Sequence, residues 1–527
     1  MIDGSMQAFP LTLDVIIDHA AKWTPRTEVV TAREGQSSSR VGYAVLRDRA
    51  RKVSAVLADF GVVRGERVAT LAWNSQGHME SWFGIMGMGA VCHTLNPRLT
   101  SEQLAWMLSQ SGARILIVSA DLVPLALNIC DAAAGLEHLW VIDGDAEATH
   151  SRVRVQAFEP LIEAAEPNVA WGGFDETSPS GLCFTSGSTG APKGVTYTHR
   201  SSFLHTLKLM AADVLGARSD DVILPVVPLF HANAWGLPFA APASGSKLVL
   251  PGRHTDGASL ARLMVAEDVT IAVGVPTVFL GLCDHLQATG QSLPALRRII
   301  LGGAPTPPAL MDRIERQLGV PVQNSWGMTE LSPVGVFSVL SDPVRRPELS
   351  GRPALGVDLM LMDEAGTPLA EQRDQEGRLH VRGAAVIERY FGQTEPVIDA
   401  DGWFDTGDLA KIDGRGNLII TGRAKDLIKS GGEWINPAEI EALVCELPQI
   451  SLAAVIGRAD PKWSERPILI VEIRDGEDLT DEAILESVRG RVASWWIPDA
   501  VLRVGTMPLA STGKIDKLSL RATYGTG

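Results

Sequence analysis

The sequence predicts an α/β protein: a large N-terminal domain of βαβ-type sheets with a β-rich subdomain, followed by a small α+β C-terminal domain. Three observations carry that expectation. Through the first part of the chain, short apolar runs rich in Val, Ile and Leu alternate with segments of helical spacing, the pattern of parallel strands joined by crossover helices. From about residue 350 the chain turns to short strands punctuated by Gly351, Gly356, Gly366, Gly377, Gly383 and Gly402. After Arg423 strands mix with capped helices. At 527 residues the chain exceeds a single hydrophobic core, which stops growing near about 250–300 residues, and the division is expected at 1–424 and 425–527.

Taken in order, Leu11, Val15, Ile16 and Ala20 keep helical spacing, as do Val53, Val56 and Leu57, with a hairpin between them. Val68-Ala69-Thr70-Leu71-Ala72 reads as a buried strand, the stretch from Met79 to Met88 as the helix after it, and Ile115-Leu116-Ile117-Val118 and Leu139-Trp140-Val141-Ile142 as two further strands. The alternation resumes with strands at 222–227 and 248–250, a helix at 258–266, and strands at 270–273 and 298–301. The last of these runs into Gly302-Gly303-Ala304-Pro305. Ligands of open α/β sheets sit at the carboxyl ends of strands, so this glycine pair is either a place where a nucleotide base passes close to backbone or a tight turn before the next helix. Near the C-terminus, Asn436 as N-cap, Pro437 at the first helical position and Glu439 start a helix with the apolar stripe Ile440, Leu443, Val444 and Leu447. Strands at 453–456 and 468–471 follow, then a helix capped by Thr480 whose Ile484, Val488 and Val492 face inward.

The net charge of −15 argues against a nucleic-acid or anionic-membrane partner, because a surface that binds phosphate backbones or acidic lipids shows an excess of Lys and Arg. Any anionic ligand must then be met by local cations. Five scattered cysteines without CxxC spacing indicate neither a disulfide framework nor a zinc site. No signal peptide and no apolar run of about 18 residues is present, so a soluble, cytoplasmic protein without an integral membrane segment is expected.

The stretch that organises the chain is Phe184-Thr185-Ser186-Gly187-Ser188-Thr189-Gly190-Ala191-Pro192-Lys193-Gly194. Its glycines permit backbone N–H groups to close on an anion, its hydroxyls add neutral donors, and Lys193 adds a mobile positive charge. Apolar Gly181-Leu182-Cys183-Phe184 before it and Val195-Thr196-Tyr197-Thr198 after it are strand-like, so the loop joins two strands. It is not a P-loop of nucleoside triphosphatases, where Gly-Lys is followed by Ser or Thr and a helix. A flexible linker is the competing reading.

With three further stretches, Trp326-Gly327-Met328-Thr329-Glu330, Trp403-Phe404-Asp405-Thr406-Gly407-Asp408, and Gly422-Arg423-Ala424-Lys425-Asp426 running on to Pro437-Ala438-Glu439, the chain resembles, over nearly its whole length, the acyl-adenylate-forming (ANL) superfamily. Acyl-CoA synthetases, luciferases and peptide-synthetase adenylation domains belong to that superfamily. The motif set looks most like medium-chain fatty acid–CoA ligases and the bacterial 3-methylthiopropionate–CoA ligases. The resemblance implies ATP-dependent ligation of a short- or medium-chain carboxylic acid to coenzyme A through an acyl-AMP, with Mg²⁺; it allows a homodimer. It implies that the loop, Thr185, Ser186, Gly187, Ser188, Thr189, Gly190 and Lys193, holds the β- and γ-phosphates. Glu330 with Thr185 takes the metal, a hard cation suited to oxygen ligands. Trp326, where many relatives carry tyrosine, lies on the adenine, and with Gly327, Met328, Thr329 and the 302–305 segment it frames the nucleotide and borders the acyl group. Asp408 accepts the ribose hydroxyls, and Arg423 joins it at the ribose or α-phosphate. Lys514, in Ser511-Thr512-Gly513-Lys514-Ile515-Asp516, bridges carboxylate and α-phosphate as the catalytic cation.

By the same resemblance the C-terminal domain is mobile, rotating after adenylation about a hinge at Lys425. Ser430, Gly431, Gly432 and Glu433 then line the pantetheine tunnel. Phe230-His231-Ala232-Asn233-Ala234-Trp235-Gly236 matches the segment bordering the acyl group, where His231 steers the carboxylate or fills space and Trp235 shortens the pocket or packs as core. Glu330, Asp408, Arg423 and Lys514 each read, alone, as ordinary surface or turn residues. An adenylating enzyme with another acceptor and a catalytically silent acyl-adenylate-binding protein stand as alternatives. A carrier domain fused after Lys514 is not expected, since the sequence ends shortly beyond it.

Overall fold

Seven strands form the first sheet of the computed structural model, in the order Arg154–Ala157, His138–Ile142, Ile115–Ser119, Arg67–Leu71, Val91–Thr94, Pro179–Phe184 and Gly194–Thr198 among the described residues. All residues are described except 1–2, 36, 186–191, 307, 432, 475, 511–513 and 527. Six of the strands run parallel and the last is antiparallel. Helices cover this sheet on both faces, so Ile115–Ser119 is buried at every position and carries no polar alternation. The phosphate-loop candidate therefore does join two strands, in the hairpin at one edge.

A second sheet, of thirteen strands among the described residues, has two characters. Its inner part, from Glu28–Thr31 through Lys247–Leu250, Val222–Pro225, Ile271–Gly274 and Arg298–Leu301 to Val322–Gly327, is parallel. Its far end, including Leu349–Pro353, Val357–Met362, Glu376–Gly383, Phe404–Ile412 and Leu418–Arg423, is the expected β-rich subdomain. Here one face meets water, and buried positions alternate with less buried ones along Phe404–Ile412. The subdomain continues the parallel sheet instead of standing apart from it.

A third sheet, five-stranded among the described residues, begins at Ile428–Ser430 and is dominated by the hairpin Ile450–Asp460 with Ser464–Ile473. Helix Pro437–Val444 starts as its sequence dictates, the Asn436 side chain accepting the Ala438 N–H. Helix Asp481–Glu486 is capped by Thr480 but is shorter than its apolar spacing suggested: Val488 is buried and Val492 half-buried, both beyond its end. Leu11 likewise precedes helix Asp14–Trp23, whose buried face is Ile16, Ile17 and Ala20, with Val15 only partly covered.

Candidate active site

A cavity of about 1870 Å³ lies where the three sheets meet. One wall is the phosphate-loop hairpin. The Thr185 N–H donates to the Lys193 carbonyl at 2.8 Å, closing the loop at its base. Ser186, Gly187, Ser188, Thr189 and Gly190 lie outside the described residues. Gly194 has no side chain to keep the neighbouring segment away: a Cβ there would stand 2.9 Å from the Phe391 Cβ, and the Phe391 N–H donates to its carbonyl at 2.8 Å. The Lys193 ammonium sits 4.8 Å from the centroid of the Tyr390 ring.

Glu330 lies on a short 3₁₀ turn, Thr329–Leu331, after the strand carrying Trp326, and is only 8% exposed. Its Oε1 accepts the Tyr390 hydroxyl at 2.9 Å. Magnesium fits this donor set. The ion keeps several waters and takes one or two protein carboxylates together with substrate phosphates, so a single carboxylate and the Thr185 hydroxyl on one wetted cavity suffice. Among the described residues no cluster of three or more His, Cys, Asp or Glu would hold a metal without a phosphate partner.

Gly302 and Gly303 end strand Arg298–Leu301, as the sequence indicates, and Gly303, Ala304 and Pro305 line the cavity. A Cβ on Gly302 would come within 2.6 Å of the Ser325 Oγ and 3.0 Å of the Trp235 ring, which accounts for glycine there. Trp326 is not simply a stacking platform. Its indole N–H donates to Asp408 Oδ2 at 3.0 Å, and its six-membered ring packs on Gly335. Gly327, Met328 and Thr329 follow it along the same wall.

Asp408 lies 2% exposed on strand Phe404–Ile412, opposite Arg423 on Leu418–Arg423. Arg423 Nε stands 2.7 Å from Oδ1 and its Nη1 donates to the Thr406 carbonyl at 3.1 Å. Burial raises the Asp408 carboxyl above its ordinary range, against the pull of Arg423, Trp326 and Lys514. Both carboxylate oxygens thus have protein partners, and the two together fix the plane of the group.

His231 opens a turn with a rare backbone. Ala232, Asn233, Ala234 and Trp235 have φ of 45°, 54°, 45° and 56°, followed by Gly236 at 78°. Left-handed conformation costs about 1–2 kcal/mol per non-glycine residue, so the surroundings must enforce it. Buried Asn74 contributes: it accepts the Leu229 N–H at 2.7 Å and donates to the Pro225 and Val227 carbonyls at 3.0 Å, fixing the chain before the turn. The result projects the Trp235 ring over Gly302 and Gly303. Burial, then Lys514 and Arg98, push the His231 imidazole down to about 4, so near neutral pH it offers a neutral ring and not a cation.

Lys514 enters the same cavity from the C-terminal domain, and the Ala510 N–H donates to its carbonyl at 2.7 Å. Protein atoms close around the ammonium, although the residue as a whole is exposed to the cavity. These surroundings, and then Arg423, bring it down to about 8, while Asp408 and Glu330 pull the other way. Lys425 sits in the 3₁₀ turn Ala424–Asp426 between the second and third sheets and also lines the cavity. Ser430, Gly431 and Glu433 do not. Ser430 accepts from Arg466 Nη1 at 3.2 Å, and Gly431, with φ 60°, is packed against the Trp463 ring. Gly432 lies outside the described residues.

Thr185, Lys193, buried Glu330, the paired Asp408 and Arg423, and Lys514 thus line one cavity. The chain belongs to the AMP-binding enzyme family: that family's model matches residues 17–391, and the family's C-terminal domain matches 439–514. It is an acyl-CoA synthetase of the adenylate-forming superfamily, an AMP-forming acid–thiol ligase using ATP and coenzyme A. It is 38% identical to the 3-methylmercaptopropionyl-CoA ligase of Ruegeria lacuscaerulensis over 99% of this chain and 98% of that one. It is equally 38% identical to the medium-chain-fatty-acid–CoA ligase of Ectopseudomonas oleovorans, over 99% of this chain and 97% of the relative. The fold is shared with an anthranilate–CoA ligase crystallised with anthranoyl-AMP, at a TM-score of 0.88 and 24% identity, covering 98% of this chain and 99% of that structure.

Proposed function

We propose that this enzyme activates a short- or medium-chain carboxylic acid, 3-methylthiopropionate being the first candidate, and that the residues gathered around the cavity divide the work as follows. A carboxylate oxygen attacks the α-phosphorus of ATP and the bond to the pyrophosphate oxygen breaks, giving acyl-AMP and pyrophosphate. Lys514 neutralises the negative oxygens as they converge. Asp408, held by Trp326 and Arg423, fixes the ribose. Lys193 and the phosphate loop hold the β- and γ-phosphates, and Glu330 with Thr185 would hold magnesium, which when bound neutralises phosphate charge. In the second half-reaction the CoA sulfur attacks the acyl carbonyl and AMP leaves.

The carrying observation is that Lys514, from the C-terminal domain, shares one cavity with Glu330, Asp408 and Arg423 while Ser430, Gly431 and Glu433 lie off it. That arrangement serves adenylation. Bringing 430–433 over the site for thioester formation requires rotation, for which Lys425, between the domains 1–424 and 425–527, is our hinge. For the acid, the support is Trp235, whose ring lies over Gly302 and Gly303 and lines the same cavity as His231. Both relatives named above carry small or medium acids in their names. Among the described residues no helix is long and apolar enough to cross a membrane, and we place the enzyme in the cytoplasm, where ATP and CoA are found. The test is a screen of acids of increasing length, including 3-methylthiopropionate, for CoA-dependent AMP release. A preference for long-chain or aromatic acids would overturn the substrate reading.

A further inference from the structure

The reaction as described leaves Tyr390 without a role, although it is 8% exposed and bonded directly to the metal carboxylate. Five contacts converge on its short segment. The Tyr390 hydroxyl donates to Glu330 Oε1 at 2.9 Å, and the Ile387 N–H donates to the Glu330 carbonyl at 2.8 Å, so side chain and backbone of Glu330 are held from one place. The face of the Tyr390 ring carries the Lys193 ammonium at 4.8 Å. The Phe391 N–H closes on the Gly194 carbonyl at 2.8 Å, and its ring meets Phe184, at the other end of the loop, edge-on at 6.4 Å. The segment thus ties both ends of the phosphate loop to Glu330.

We propose that Tyr390 is a positioning residue: its hydroxyl orients the Glu330 carboxylate toward magnesium–ATP, and its ring pre-sets Lys193 beside the incoming triphosphate. The proposal rests on the reading of Glu330 as a metal carboxylate. A hydroxyl that donates to one carboxylate oxygen fixes the plane of the group, and a cation held on a ring face loses less freedom when it meets its phosphate. Among the described residues no other group hydrogen-bonds the Glu330 carboxylate, so this orientation depends on Tyr390.

ATP binding to the intact enzyme, measured by calorimetry without acid substrate and with either Mg²⁺ or EDTA, tests this apart from turnover. Tyr390→Phe keeps the ring and removes the hydroxyl. It is expected to bind ATP in EDTA as the parent does, within about twofold, and to lose about tenfold of the affinity gained from Mg²⁺. Tyr390→Leu is expected to weaken binding in EDTA as well, several-fold. Glu330→Gln separates the two layers: if it loses the Mg²⁺ gain while Tyr390→Phe keeps it, the Tyr390 proposal falls and the Glu330 reading stands. If Glu330→Gln keeps the gain, the metal reading falls and the proposal with it. Equal weakening of Tyr390→Phe with and without Mg²⁺, accompanied by a lowered Tm, makes Tyr390 a packing residue and also overturns the proposal.

Discussion

Replacing Trp235 by alanine asks whether its ring ends the acyl pocket or merely fills the core. The ring lies 3.0 and 3.5 Å from the positions a side chain would take on Gly302 and Gly303, and the residue itself is 9% exposed, so its removal opens space bounded by glycine on the far side. Neighbouring side chains cannot collapse into that space from the glycines, which favours a persistent void over repacking. We estimate room for about three to four methylenes, each worth about 0.8 kcal/mol on burial, or about fourfold in kcat/KM per carbon. The optimum acid should therefore lengthen by about three carbons, with the parent's best acid losing ground to it. The KM for ATP should stay put, since Lys193, Glu330 and Asp408 are all left in place. The assay is kcat/KM over straight-chain acids together with the Tm. A packing tryptophan behaves otherwise, with a loss on the order of 3–5 kcal/mol in stability and a uniform fall for every acid. That uniform pattern with a lowered Tm would refute the pocket reading.

Lys514→Ala should abolish acyl-AMP formation yet leave CoA transfer from supplied acyl-AMP largely intact, and equal loss of both would remove the assignment. Because the free ammonium is brought down to about 8, adenylation should hold level below that pH and fall as pH rises through it, the charged form being the active one. Lys514→Arg, whose cation does not titrate there, should show whatever adenylation it retains without that fall. Lys425→Pro should spare adenylation and suppress thioester formation by restricting rotation, and unchanged overall turnover would place the hinge elsewhere. Trp326→Phe keeps the ring but removes the donor to buried Asp408, a hydrogen bond to a charged group worth about 1.5–3 kcal/mol. The KM for ATP should rise about tenfold or more and discrimination against 2′-deoxy-ATP should shrink, and retention of both would show that the bond does not orient Asp408.

Much of the fold was legible because its signals are local. Buried parallel strands need continuous apolar runs, and a helix start such as Asn436-Pro437 is written in adjacent residues. The shortened helix at 481–486 departs from its spacing because Val488 and Val492 find apolar neighbours without helical geometry. At the site, the motif residues carried their own resemblance, but the bonds among them did not. Tyr390 meets Glu330 across 60 residues and Trp326 meets Asp408 across 82, with nothing in either neighbourhood to announce the partner. The left-handed run through Trp235 was equally hidden, since Asn233, Ala234 and Trp235 carry no glycine to signal a positive φ. What enforces it is tertiary, including the grip of Asn74 on the preceding segment.

On the acyl-AMP path one carboxylate oxygen becomes bonded to the α-phosphorus of ATP before the thiol displaces it. The most direct measurement is turnover of an acid labelled with ¹⁸O in its carboxylate, with ATP and CoA, followed by mass spectrometry of the nucleotide and phosphate products. An acyl-AMP path leaves one labelled oxygen in AMP, none in pyrophosphate, and AMP in equal amount to acyl-CoA. Unlabelled AMP, or label in inorganic phosphate alongside ADP, would contradict it.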